Sequence, residues 1–213
     1  MWYTDTAFST VKSIRGNSCF QVFTNTNAII GVPMERKSEA GDALGTLCEE
    51  VGVPNTLIFD NSQEQCGAKT KFMNIVRKQD IRWKATEPYS PWQNRAEDAI
   101  RELKKRMRLR RIRNQVPHCV WDYLLQYECD IINRTVRGND ERTPYERITG
   151  ETPDISEYVD FGFYNWVWFW DTPGDTTNPH VGRWLGISHR IGSEMCYYVL
   201  KSKNVVVVEW NGQ

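Results

Sequence analysis

Three carboxylates stand in settings suited to phosphodiester chemistry. Asp5 lies in the short apolar stretch Met1-Trp-Tyr-Thr-Asp-Thr-Ala-Phe8, and Asp60 ends a second one, Thr56-Leu-Ile-Phe-Asp60. Glu97 falls early in a basic segment, Pro91-Trp-Gln-Asn-Arg-Ala-Glu97. Acids at strand ends and on a helix can converge in a fold and hold two divalent cations. Such a pair activates an attacking oxygen and steadies a leaving one. The leading expectation is a metal-dependent nucleic-acid enzyme. Taken singly, each acid has an ordinary reading: Asp5 a surface acid on a strand, Asp60-Asn61 a turn, Glu97 an exposed helix residue. Only jointly do they point to a site.

Charge supports the same direction. The formal net charge is zero, but residues 1–150 hold 23 bases and 19 acids, whereas residues 151–213 hold 4 bases and 8 acids. Between Arg101 and Arg113 eight bases meet one acid, Glu102. A run of that kind suits a polyanion; a solvated helix face is the ordinary alternative. The six cysteines are scattered, with no CxxC pair and three histidines to join them, so a zinc site is not expected. They read as buried thiols of a reducing compartment. No apolar run approaches the roughly 20 residues that span a bilayer, and an acid at position 5 does not suit a secretory signal. No membrane association and no targeting signal are expected.

The elements that must position these acids follow from periodicity. Residues 1–8, 19–23 and 28–32 are rich in β-formers and separated by short connections, which predicts three strands in an antiparallel meander. The period then changes. Ser38 can cap a helix presenting Ala40, Ala43, Leu44, Leu47 and Val51, ended by Gly52 and Pro54. A strand at 56–60, a helix at 68–78, a strand at 81–85, a long basic helix from about 92 to 113 and a helix at 120–135 complete the pattern. Three strands followed by helix-strand-helix-strand-helix argue for a mixed α/β sheet covered on both faces. From about residue 151 the texture changes to an aromatic, β-rich module with strands expected at 181–187, 195–200 and 205–210. The domain expectation is 1–150 and 151–213. Trp166, Trp168 and Trp170 alternate, which lines one strand face with tryptophan; packing within the module is favoured over base stacking.

Helical geometry separates the two adjacent acids of the basic helix. At about 100° per residue, Ile100, Leu103 and Met107 form the core stripe, with Glu97 roughly 80° from its centre and Asp98 roughly 180° away. Glu97 can therefore lean over a sheet edge, while Asp98 faces solvent, where Lys105 or a neighbour of Glu102 can pair with it. Arg101, Lys104 and Arg108 share the Glu97 side and would meet a phosphate backbone held there.

These residues also carry a family likeness. Tyr89-Ser-Pro-Trp-Gln-Asn-Arg-Ala-Glu-Asp-Ala-Ile-Arg-Glu-Leu-Lys104 resembles the third-acid motif of integrases from copia-type (Pseudoviridae) LTR retrotransposons. Asp60-Asn-Ser-Gln-Glu64 resembles the second-acid motif and Asp5-Thr-Ala-Phe8 the first, and the 36 residues between Asp60 and Glu97 are close to the family's spacing. The segment from Gly182 to Leu200 is similar to the region after the catalytic core in these polyproteins. The resemblance implies an RNase H-like fold with a five-stranded mixed sheet and flanking helices. It implies a DDE triad of Asp5, Asp60 and Glu97 holding two Mg2+ or Mn2+ ions, with Gln93 and Asn94 contacting DNA or shaping the site, beside Arg101, Lys104 and Arg108, which helix geometry offers to DNA. The implied reaction is processing of element cDNA ends and their transfer into target DNA, by a homo-oligomer acting in the nucleus. Glu64 is read as a turn or supporting residue rather than a metal ligand.

The chain departs from many members in having one residue fewer between the Asn94 and Glu97 positions. It lacks a His/Cys zinc-binding segment ahead of the core and begins four residues before Asp5, which reads as a piece of a polyprotein or a decayed copy. Two other functions compete: a nuclease resembling ribonuclease H that cuts RNA in hybrids, and an inactive remnant that binds nucleic acid through 101–113.

Overall fold

The computed structural model describes residues 1–26, 28–60, 67, 69–86, 95–138, 141–170, 179–188, 196–201 and 207–211, the last stretch as backbone alone. Strands β1 (Trp2–Phe8), β2 (Cys19–Thr24) and β3 (Ile29–Met34) form an antiparallel meander, with Asp5 opposite Val22 and Val22 opposite Gly31. The connections are too short for anything but antiparallel neighbours. Helix α1 (Ala40–Glu50) then carries the chain across to β4 (Thr56–Phe59), and α2 (Lys71–Lys78) carries it to β5 (Arg82–Ala85). Both crossovers produce parallel pairs, and the sheet order is β3-β2-β1-β4-β5. Helices α3 (Arg95–Asn114), α4 (Trp121–Asn133) and α5 (Pro144–Thr149) follow. The RNase H-like five-stranded mixed sheet with flanking helices is thus the architecture that forms.

Two cores sandwich the sheet. On one face Trp2, Phe23, Leu57 and Phe59 pack with Leu44 and Leu47 of α1 and Phe72 and Val76 of α2. On the other, Ala7, Phe20 and Val22 pack with Leu103 of α3 and with Trp121, Leu125 and Ile132 of α4. Each large side chain so buried contributes about 1.5–3 kcal/mol. Gly31 makes the second face possible. A Cβ there would stand 3.0 Å from Leu125 and 3.1 Å from the Cys129 sulfur. The Asn133 side chain fastens the end of α4 to β3, accepting from Ile29 N at 3.0 Å and donating to Ile29 O at 2.9 Å. The start of α4 is held by Asp122, which is fully buried and accepts from Arg15 Nε at 2.7 Å and Asn17 Nδ2 at 2.8 Å.

Local details differ from expectation where capping decided them. Ser38 lies within a 3₁₀ turn, Lys37–Glu39, and α1 begins without a side-chain cap. Helix α2 starts at Lys71, because the Thr70 hydroxyl accepts from Met73 N and ends the preceding segment. The expected start of the basic helix, at about 92, lies outside the described residues.

The chain divides into two compact units: residues 1–108 with 118–153, and residues 109–117 with 154–213. The last turns of α3 therefore group with the second unit, not with the first as the sequence suggested. The second unit holds α6 (Ser156–Asp160) and an antiparallel sheet, β6 (Trp166–Phe169), β7 (His180–Ile187), β8 (Cys196–Lys201) and β9 (Val207–Asn211), paired in that order. Phe163, Trp184 and Tyr197 fill its interior, with Phe161 stacked on Trp184 at 5.8 Å. Asn114 Nδ2 donates to Phe163 O at 2.7 Å. The alternation in β6 is opposite to expectation. Val167 and Phe169 are buried, while Trp166 and Trp168 are 57% and 66% exposed. The Arg183 guanidinium lies over the Trp166 ring at 3.6 Å.

Candidate active site

Strand register places the first two acids. Thr4 lies level with Phe59 in the parallel β1–β4 pair, so one residue further on Asp5 comes level with Asp60. Residues level across a parallel pair project to the same face. That face is the one covered by α3 and α4, because Ala7, two residues beyond Asp5, is in that core, whereas Leu57 and Phe59 are in the other.

Helix α3 delivers the third acid to the same face. Ala96, Ala99 and Leu103 are buried, with Ile100 and Met107 packed beside them. The small Ala96 and Ala99 let the first turns approach the sheet closely. The Arg95 guanidinium sits 5.7 Å from the Tyr3 ring, which fixes the start of α3 above β1. Glu97 lies on the flank of this buried stripe and is exposed.

The three acids meet electrostatically. Burial pushes the Asp5 carboxyl above its ordinary range, and the charges of Asp60 and Glu97 push it further; the Thr6 N–H and the Lys37 ammonium oppose them. Thr6 N donates to Asp5 Oδ1 at 2.7 Å, fixing the carboxylate's orientation. Asp5 is half-buried and Asp60 exposed. Burial leaves the Asp5 carboxyl poorly screened, so the charges of Asp60 and Glu97 are felt there.

Could these residues hold ions? Among the described residues, no three His, Cys, Asp or Glu side chains stand close enough to hold an ion as they are. The donor set nevertheless fits. It consists of carboxylate oxygens, which suit Mg2+ or Mn2+, and a divalent cation among them would relieve the repulsion that lifts Asp5. The fit requires the three side chains to draw inward.

The expected DNA-contacting residues divide. Lys104 and Arg108 are exposed on the Glu97 flank of α3 and have no ion-pair partner among the described residues. Arg101 is exposed too but pairs with Asp98 at 3.1 Å. Of the expected partners of Asp98, Arg101, the neighbour of Glu102, is the one that pairs with it, because i,i+3 spacing brings it within reach. Gln93, Asn94 and Glu64 lie outside the described residues. On the opposite flank Glu102 accepts from Arg137 at 2.6 and 2.7 Å and from Arg106 at 3.0 Å. Burial disfavours the Glu102 charge, but these hydrogen bonds prevail and hold its carboxyl below the usual range. Lys37 was not anticipated. It follows β3 and reaches the Asp5 field only because the meander folds back; nothing in its local sequence announces it.

No protein-family model and no curated protein matches the chain. Solved structures do. A chain of the simian T-cell lymphotropic virus intasome in complex with PP2A regulatory subunit B56 gamma is similar at a TM-score of 0.59 and 16% identity, covering 99% of this chain and 75% of that one. The catalytic core domain of BIV integrase is similar at a TM-score of 0.54 and 18% identity, covering 76% of this chain and 97% of that one. The fold is integrase-like.

Proposed function

We propose that the chain is the catalytic core of a copia-type retrotransposon integrase with its post-core module, a polynucleotidyl transferase of the DDE class. What supports this reading is the register that sets Asp5 level with Asp60 in an integrase-like sheet, with Glu97 on the helix over the same face; burial, then the charges of Asp60 and Glu97, raise the proton affinity of Asp5. Asp5, Asp60 and Glu97 would hold two Mg2+ or Mn2+ ions. When bound, these supply activation of the attacking oxygen and charge stabilisation at the leaving one.

The chain's own residues orient the substrate. Asp5 is aimed by its bond from Thr6 N, and Lys104 and Arg108 hold phosphates beside the reacting one. In end processing, water attacks a cDNA phosphodiester, a P–O bond forms to the water oxygen, the bond to the leaving 3′ oxygen breaks and a proton is lost. In transfer, the freed 3′-hydroxyl attacks a target phosphodiester in the same way. No covalent intermediate with the protein is required. The active form would be a homo-oligomer on DNA in the nucleus.

The test is nicking and strand transfer on duplex DNA with Mg2+ or Mn2+. Asp60→Asn should reduce both by about 10²–10³-fold or more, the scale on which one charge-stabilising group acts. Activity that survives in this variant removes the assignment. Cleavage confined to RNA–DNA hybrids would favour a ribonuclease H-like enzyme, and salt-sensitive binding without cleavage an inactive remnant.

A further inference from the structure

We propose that β5 forms a second polynucleotide-binding surface, on which Arg82 and Lys84 hold backbone phosphates on the Asp60 side of the site, across the acids from Lys104 and Arg108. This rests on the reading of the site as one that acts on a polynucleotide.

Register places these side chains. In the β4–β5 pair Thr56 lies level with Arg82 and Ile58 with Lys84, and in the β1–β4 pair Tyr3 lies level with Ile58. Pairing continues past the strand, since Thr86 N donates to Phe59 O at 3.0 Å. Arg82 and Lys84 therefore project to the face of Tyr3, Asp5 and Asp60. The intervening Trp83 projects to the other face, where it stacks on Phe59 at 5.7 Å.

The spacing suits a strand of nucleic acid. With strands ~4.8 Å apart and ~6.6 Å per two residues, the Lys84 Cα lies about 8 Å from that of Asp60, and Arg82 one such step further. Two residues of strand thus match about two phosphate rises of ~3.4 Å each.

The charges are available. β5 is the outermost strand of the sheet, and all four of its residues are exposed. Neither Arg82 nor Lys84 has an ion-pair partner among the described residues, whereas Arg15, Lys71, Arg134 and Arg137 are each neutralised by a carboxylate. Two exposed cations with no ion-pair partner among the described residues are an arrangement that adds little to stability. They are a good one for a polyanion whose reacting phosphate must sit over those acids, because neutralised phosphates release counterions.

The experiment measures binding of the full chain to a fluorescently labelled duplex DNA in EDTA across a salt series. Arg82→Ala with Lys84→Ala should flatten the log–log salt slope by about 2, at about 0.9 per phosphate contact. It should also weaken binding at low salt by tenfold or more, with an unchanged circular dichroism spectrum. The charge-keeping pair Arg82→Lys with Lys84→Arg should retain the slope. Lys78→Ala, which removes an exposed cation on α2, the helix that packs on the other face of the sheet, should also retain it.

An unchanged slope in the β5 alanine pair, with a reduced slope for Lys104→Ala with Arg108→Ala, overturns the β5 surface and leaves the proposed function standing. The reverse also separates the two: a reduced β5 slope with full cleavage by Asp60→Asn keeps this surface and removes the DDE reading. If the two cations serve to guard an open strand edge from pairing, the alanine pair self-associates with its slope intact, which overturns the surface. So does a wild-type chain that shows no salt-dependent binding.

Discussion

Asp5 is the residue at which the proposed function and stability oppose each other. Its proton affinity is raised by burial and then by Asp60 and Glu97. The folded state therefore binds its proton more tightly than the unfolded chain does. Ionised Asp5 costs stability at neutral pH, and that cost disappears as pH falls toward the ordinary carboxylate value of about 3.9. Asp5→Asn should accordingly raise the thermal midpoint at pH 7, and the gain should shrink to nothing at about pH 3–4. Divalent cation should reverse the order: Mg2+ raises the midpoint of the native chain and leaves that of Asp5→Asn nearly unmoved. Equal responses to Mg2+ would show that Asp5 holds no ion. At this scale the settings of two acids were legible: Asp5 lies on an apolar strand and Asp60 just past a strand end. Lys37 was not, because its nearness to Asp5 comes from the β2–β3 fold-back rather than from its neighbours.

At the scale of elements, packing decides what pattern leaves open. Helix α4 seats on β3 because position 31 has no side chain, and a Cβ there would meet Leu125 at 3.0 Å and Cys129 at 3.1 Å. Gly31→Ala should destabilise by about 1–3 kcal/mol in urea denaturation, the usual cost of overpacking a filled core. Strand β6 makes the contrary case. Both of its faces are apolar in sequence, so alternation predicts a strand without saying which side goes inward. Phe169 and Val167 turn in and Trp168 stays 66% exposed. Trp168→Ala should therefore change stability by less than about 0.5 kcal/mol. A loss of several kcal/mol would restore the expected packing role.

For the molecule as a whole, the main break between the units falls after Pro153, close to the change in composition near residue 151. Residues 109–117 belong to the second unit, where Asn114 donates to Phe163 O at 2.7 Å. Asn114→Ala should cost about 1 kcal/mol, the net worth of a partly buried hydrogen bond. In native-state hydrogen exchange the loss should appear at 109–117 and around Phe163, with β1–β5 unaffected. No described helix is long and apolar enough to cross a membrane.

The order and kind of the elements, and the three acids worth watching, could be read from the amino acids because period, propensity and strand-end position are local properties. Register could not. Which residue of β4 lies level with Asp5, and which face Lys84 or Trp168 shares, depends on pairings between distant segments, and a slip of one residue would turn every side chain to the other face. That register sets Asp5 level with Asp60, and the close seat that Ala96 and Ala99 allow α3 puts Glu97 on the helix over the same face.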